Sequence, residues 1–223
     1  MIARHSDGNV MGIRIDLHVH TRRYSQCSSI DPERLVRRAV KAKLDGLVIT
    51  EHHHQWQEAD LAELLERTDA PGFLLLAGFE YTSRQGDILI YGLDAARVEE
   101  FVQGLLTPAE AVALAHAGGA VCIAAHPTRA GLGFDEAILT LPVDAIEVRS
   151  TNLQPHEQRA AISLAGKAGK PAVAASDSHS LNDVGRYATD FDDPIRTMAD
   201  LHVAIRRGRF RVAPSQSRRM RAL

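Results

Sequence analysis

The sequence predicts a single α/β domain folded as a distorted TIM-like barrel. Short apolar runs alternate with amphipathic segments, and repeated β-α units of this kind build either a barrel or a doubly wound sheet. Runs such as 47–49 are continuously apolar, as in parallel strands buried on both faces. Five runs end in histidine or carboxylate residues, and we favour a barrel because it brings its strand ends to one mouth. Since 223 residues are few for eight units, we expect the (β/α)7 type.

The predicted elements follow from apolar periodicity and cap residues. The first strand begins at Ile13 and ends at the pair His18 and His20. A helix begins at Pro32, with Ser29 or Asp31 as the expected N-cap. The later predicted strands are 47–50, 73–81, 88–93, 120–125, 145–148, 172–175 and 210–212, and the later predicted helices are 58–67, 108–117, 134–139, 155–168 and 199–207.

Composition and domain limits indicate an ordinary globular protein. We expect an N-terminal extension at 1–12, the barrel at 13–213 and a basic tail at 214–223. The net charge of -2 gives no general attraction to nucleic acid or membranes, and no run has the length of a membrane span or the character of a signal peptide. Cys27 and Cys122 lack the spacing of a disulfide framework or a metal motif, so we expect a cytoplasmic protein. The sequence does not indicate an oligomeric state.

The strand ends carry residues that can bind metal ions. In a strand, alternate side chains share a face, so His18 and His20 can point at one spot. The same argument leaves open whether His52 alone or His52 and His54 together face that spot. The other strand ends carry Glu51, Glu80, His126, Asp177 and His179.

These motifs together resemble the PHP (polymerase and histidinol phosphatase) family of metal-dependent phosphoesterases. The resemblance rests on the segments 16–21, 49–52, 78–80, 125–127 and 176–180, which occur in the order typical of the family, and it covers about 14–212. It implies two or three divalent ions, Zn, Mn or Fe, at the mouth of a (β/α)7 barrel. The implied metal ligands are His18, His20, His52, Glu80, Asp87, His126, Asp177 and His179.

The resemblance also implies roles within this set. His18, His20 and Asp177 would hold the first ion, Glu80 would bridge to a second completed by His126, and His52 and His179 would point to a third. The residues implied in catalysis are Glu80, Asp177 and His179.

The sequence departs from the family pattern in three places. The loop 22–27 has no carboxylate where many members carry an aspartate ligand of the third ion, so we expect that ion to be held weakly. Asp87 stands where a histidine is common, which shifts the site toward harder metals. Glu51 replaces an aspartate, and we interpret it as a residue that orients a histidine ligand.

The function expected from the resemblance is hydrolysis of a small phosphomonoester or nucleotide by a metal-activated hydroxide. Arg129, Arg149 and Arg186 are candidates to bind the phosphate group, because a guanidinium matches phosphate oxygens bidentately. The alternatives are nuclease-type activity on oligonucleotide ends, amidohydrolase-like cleavage of C–N bonds, and an inactive module stabilised by metal.

Overall fold

The structure, a computed structural model, describes residues 12–134 and 136–215. Within them the strands are β1 (Ile13–Val19), β2 (Gly46–His52), β3 (Leu74–Ser83), β4 (Gly86–Tyr91), β5 (Val121–Ala124), β6 (Ala145–Arg149), β7 (Ala172–Ala174), β8 (Thr189–Phe191) and β9 (Phe210–Val212). The helices are α1 (Pro32–Lys41), α2 (Glu58–Thr68), α3 (Val98–Gly104), α4 (Pro108–Ala117), α5 (Pro155–Ala168) and α6 (Met198–Arg207). Short 3-10 turns lie at Ala95–Arg97 and Glu136–Leu139. The predicted extension 1–12, apart from Gly12, lies outside the described residues, as does 216–223 of the predicted basic tail.

The strands form one sheet that curls into a nearly closed barrel, which confirms the predicted fold class. Its order is β7-β6-β5-β4-β3-β2-β1-β8-β9. The barrel closes between the segment after β7 and β1, because Ser178, just after β7, bridges to Val19 of β1. Backbone hydrogen bonds support this closure, with His20 N donating to Ser178 O at 3.1 Å and Asp177 N donating to His18 O at 2.8 Å. The closure places the segment after β7 beside the histidines of β1.

Strand β4 differs from the parallel arrangement that the sequence predicted. It runs antiparallel to both β3 and β5. The reason is the connection: only Arg84 and Gln85 separate β3 from β4, whereas a parallel crossover needs a dozen or more residues. Consequently β4 enters the barrel at the mouth, and Asp87 reaches the mouth from the beginning of its strand. Strand β8 and helix α3 were not predicted. Strand β8 has only three residues and is formed by pairing with β1 and β9.

The core lies inside the barrel and between the sheet and its helices. Inside, Leu17 and Leu89 from opposite parts of the sheet share one apolar cluster with Leu201 of α6. Outside, Leu47 and Ile49 of β2 share a second cluster with residues of α1 and α2. This burial fixes the strands that present the polar residues at the mouth.

Local signals fixed several helix ends as predicted. The Asp31 side chain accepts from Glu33 N and Arg34 N at the start of α1. Thr107 and Glu110 form a capping box at the start of α4. Among the described residues, no helix combines the length and the apolar character that crossing a membrane requires.

Candidate metal centre

Glu80, at the mouth end of β3, lies at the centre of the polar cluster. One of its oxygens, Oε2, is 3.4 Å from His18 Nε2, 3.2 Å from His20 Nε2 and 3.1 Å from His52 Nδ1. The other oxygen, Oε1, is 3.1 Å from His126 Nε2. The in-register pairing of β2 with β3, which sets His52 opposite Glu80, accounts for one of these contacts. The single carboxylate therefore connects four imidazoles on three other strands or strand ends.

Asp177, in the segment after β7, approaches His18 and His20 of the β1 end across the barrel closure. Its Oδ1 is 3.4 Å from His18 Nε2, 3.5 Å from His20 Nε2 and 3.6 Å from His179 Nδ1. Asn152 donates to Asp177 Oδ2 at 2.6 Å, which fixes the carboxylate. The backbone of Asp177 is left-handed, with φ of 49°, a conformation that is uncommon outside glycine and is often found at functional sites.

Asp87 and His126 lie on the far side of Glu80. His126 Nε2 is 3.7 Å from Asp87 Oδ2, and the donor atoms of Glu80, Asp87 and His126 are close enough to share one ion. Burial and the charge of Glu80 raise the pKa of Asp87 to about 7. A cation between these carboxylates would remove that repulsion.

A third group forms where His52 and His179 stack on His20. The ring centroids are 4.6 Å apart in both pairs. Cys27 joins this group, because its sulfur and one nitrogen from each of the three histidines all lie within 4.8 Å of one another. His54 instead stacks on Tyr24 with centroids 3.7 Å apart, so the structure selects His52 of the two alternatives left open by strand alternation.

Glu147 of β6 belongs to the cluster, although the sequence analysis missed it. It is fully buried, its Oε1 is 3.1 Å from His18 Nδ1, and its Oε2 accepts from His126 N at 2.8 Å. A proton on His18 Nδ1 donated to Glu147 leaves the Nε2 lone pair free to face a metal. The signal available in the sequence was a carboxylate inside the apolar strand Ile146-Glu147-Val148.

Glu51 lies behind the cluster and reaches a histidine only through another residue. It accepts from Ser25 Oγ at 2.6 Å and from Trp56 Nε1 at 3.0 Å, and Ser25 Oγ is in turn 3.4 Å from His20 Nδ1. Thr21 also donates to it through both its backbone and its hydroxyl. Glu51 thus holds the loop that supports His20.

The imidazoles at the centre are strongly coupled to the carboxylates. Burial alone would lower the pKa of His18, but the charges of Asp177, Glu80 and Glu147 raise it well above its usual value. Burial likewise opposes the ionised form of Glu80, yet His18 and His126 hold its pKa well below the usual range. At the rim, burial lowers the pKa of His52 to about 4 despite the charge of Glu80. His52 is therefore neutral at physiological pH and has a lone pair for a ligand.

The three predicted phosphate-binding arginines lie in different surroundings. Arg129, half-buried after His126, is near enough for its charge to act on the Asp87 carboxyl. Arg149 is half-buried at the mouth end of β6. Arg186 pairs with Asp183 at 4.0 Å and lies over the Tyr187 ring, both within its own loop. Of the three, Arg129 has the clearest link to the cluster.

The donor set fits bound divalent ions. A tetrahedral ion with bonds of about 2.0 to 2.3 Å separates neighbouring ligand atoms by roughly 3.3 to 3.8 Å. The distances of 3.0 to 3.5 Å among His18 Nε2, His20 Nε2, Glu80 Oε2 and Asp177 Oδ1 approach that spacing. Three groups of histidine and carboxylate donors at the mouth are compact enough to hold an ion: His18, His20 and Glu80; His18, His126 and Asp177; and Glu80, Asp87 and His126.

Comparisons with known proteins agree with this fold. Residues 155–210 match the family model described as PHP-associated, and no curated protein matches the chain. PsfC from Pseudomonas syringae PB-5123 is 22% identical, with a TM-score of 0.68 over 93% of this chain and 94% of that one. A Bifidobacterium adolescentis protein provisionally named a metal-dependent phosphoesterase is 17% identical, with a TM-score of 0.57 over 75% and 88%. An amidohydrolase from Chromobacterium violaceum, solved with sulfate and no metal, is 18% identical, with a TM-score of 0.62 over 86% and 96%.

Proposed function

We propose that this chain is a member of the PHP family and a metal-dependent phosphoesterase acting on a small phosphomonoester or nucleotide, which the match of residues 155–210 to the PHP-associated family model supports. The observation that carries the proposal is the position of Glu80. It is buried, and its two oxygens face His18, His20 and His52 on one side and His126 on the other. This is the arrangement expected of a carboxylate that bridges two ions.

The resemblance to the PHP family implies how the residues would be divided between the ions, and the compact donor groups at the mouth are compatible with that division. His18, His20 and Asp177 would hold the first ion, and Asp87 and His126 the second, with Glu80 between them. His52 and His179 would face a third. Bound ions would supply a nucleophile from water near neutral pH and would offset charge on the phosphoryl oxygens.

The chain's own residues would orient the substrate and hold the site together. Arg129, whose charge acts on the site, would bind a phosphate oxygen at the rim. Glu147 would keep His18 in the tautomer with Nε2 free, and Asn152 would fix the rotamer of Asp177.

Cleavage of C–N bonds is the competing activity, because amidohydrolase barrels share this architecture. Such enzymes tend to bridge their ions with a lysine. All four lysines of this chain lie in or just after α1 and α5, at Lys41, Lys43, Lys167 and Lys170. The bridging position at the mouth is a glutamate, which favours the phosphoesterase.

The proposal is tested with metal-stripped protein reloaded separately with Zn, Mn or Fe. Phosphate release is measured from nucleotides, sugar phosphates and short oligonucleotides, and ammonia or carboxylate release from cyclic amides. We expect release of phosphate from a small monoester or nucleotide. Preferred cleavage of oligonucleotide ends would replace the proposed substrate, hydrolysis of amides alone would refute the phosphoesterase, and metal binding without hydrolysis would indicate an inactive module.

A further inference from the structure

We propose that Cys27 is a ligand of the third ion. Its thiolate would supply the negatively charged donor, because the loop contains no carboxylate. The inference rests on the proposed function only in requiring an ion beside His52 and His179. The spacing of the cysteines in the sequence did not indicate this role, because the three partners of Cys27 come from three other parts of the chain.

The geometry places the sulfur near His20 and the two histidines that stack on it. Cys27 Sγ and one nitrogen each of His20, His52 and His179 lie within 4.8 Å of one another. A tetrahedral ion would need separations of roughly 3.3 to 3.8 Å, so a closure of about 1 Å brings the donors into range. Because the Cys27 side chain is exposed, it can make that movement without disturbing the core.

The loop that carries Cys27 is fastened to two of the histidines. Ser28 Oγ donates to His20 O at 2.9 Å, and Ser29 N donates to His179 O at 3.0 Å. Ser28 N also donates to Ser25 O at 3.1 Å, which closes a turn around position 27. The backbone on both sides of Cys27 is therefore held against the group that its sulfur faces.

The chemistry of this donor set differs from that of the other two groups. His52 and His179 are neutral donors, and a thiolate adds the negative charge that a divalent ion requires. With His20 engaged by Glu80 and Asp177, three protein ligands would remain and a fourth position would stay open for water or substrate. Thiolate and imidazole together favour Zn, Co or Fe over Mn.

Neighbouring residues of the loop cannot take this role. Ser25 is buried, donates to Glu51 and accepts from His52 N at 3.2 Å, so its oxygen is already committed. The other cysteine, Cys122, is buried at the start of β5 beside Asp144. It offers a matched control for the loss of one thiol.

The test uses the metal-stripped full chain titrated with Co²⁺. A cobalt ion bound by thiolate gives an intense sulfur-to-metal charge-transfer band in the near ultraviolet, which oxygen and nitrogen ligands do not give. We expect the band in the wild type and in C122A. C27S should lose the band and should bind about one ion fewer per chain. C27D, which restores a carboxylate, should recover the ion without the band.

Absence of the band from the wild type, or its survival in C27S, would overturn the assignment. The decisive comparison is between the wild type and C27S, whose change lies on an exposed loop, and so it does not depend on the folding of C122A. Phosphate release is measured on the same samples. A band without hydrolysis supports Cys27 and contradicts the phosphoesterase, whereas hydrolysis without a band does the reverse.

Discussion

Glu80 is almost completely buried, and its charge is balanced by the imidazoles around it rather than by water. Glutamine has nearly the same size but no charge. Its NH2 group, which donates hydrogen bonds, replaces one of the two carboxylate oxygens. We therefore expect Glu80→Gln to lower kcat at least about 100-fold, with a much smaller change in KM. Steady-state kinetics on the best substrate of the panel measure this.

The matched control for this change is Glu63→Gln, which removes a carboxylate from the exposed face of α2. It should leave both kinetic constants unchanged. An E80Q protein with most of its activity would exclude the bridging role.

Glu147 acts one step further from the ions, through His18 Nδ1 and His126 N. Glu147→Gln should lower metal affinity about 10- to 100-fold, because the His18 tautomer is no longer fixed by a carboxylate. Competition with a chelating dye measures the affinity, and the exposed Glu99→Gln on α3 serves as the control. Equal affinities in all three proteins would show that Glu147 only packs.

The hairpin from β3 to β4 decides how Asp87 reaches the mouth. Gly86, immediately before it, has φ of 122°, and a Cβ there would lie 2.5 Å from the Phe134 ring. Gly86→Ala should therefore destabilise the fold by about 1 to 3 kcal/mol and weaken binding at the Asp87 group. Denaturant unfolding and metal titration measure the two effects.

Gly119→Ala is the control for backbone strain alone. Its φ is 82°, but a Cβ there would have no neighbour within 4 Å. It should cost less stability than G86A and leave metal binding intact. A loss of metal affinity in both variants would mean that the effect is not specific to the hairpin.

For the whole molecule, the coupled cluster makes the stability of the metal-free protein depend on pH. Burial alone would lower the pKa of His126, but the hydrogen bond to Glu80 and its charge raise it to about 9, from 6.5 in an unfolded chain. A raised pKa stabilises the fold below the unfolded value, and the contribution disappears as pH rises through the folded value. Burial also raises the pKa values of Asp16 and Asp87 to about 7, so ionisation of these two carboxyls destabilises the fold as well. Most of that loss of stability has already occurred by pH 7.

Between pH 7 and 9 the melting temperature of the metal-free protein should therefore fall, by about 5 to 10 °C. Thermal unfolding followed by circular dichroism measures the fall. The metal-loaded protein should show a flatter profile, since bound ions keep the histidines deprotonated across the range. A metal-free protein with constant stability between these pH values would contradict the coupling of His126 to Glu80.

Local sequence patterns were sufficient for most elements and for the types of residue at the site. Apolar periodicity located the β-α units, and α4 and α5 have the predicted limits because Pro108 and Pro155 mark their first turns. Strand alternation likewise placed His18 and His20 together. These signals act over a few residues, so they are visible in the chain itself.

Tertiary structure decided the contacts between distant parts of the chain. His18 and Glu147 are 129 positions apart, and only the curling of the sheet brings β6 under β1. The position of Cys27 beside His179 likewise depends on barrel closure at Ser178. Register and closure are set by the packing of the whole core, which no short stretch of sequence encodes.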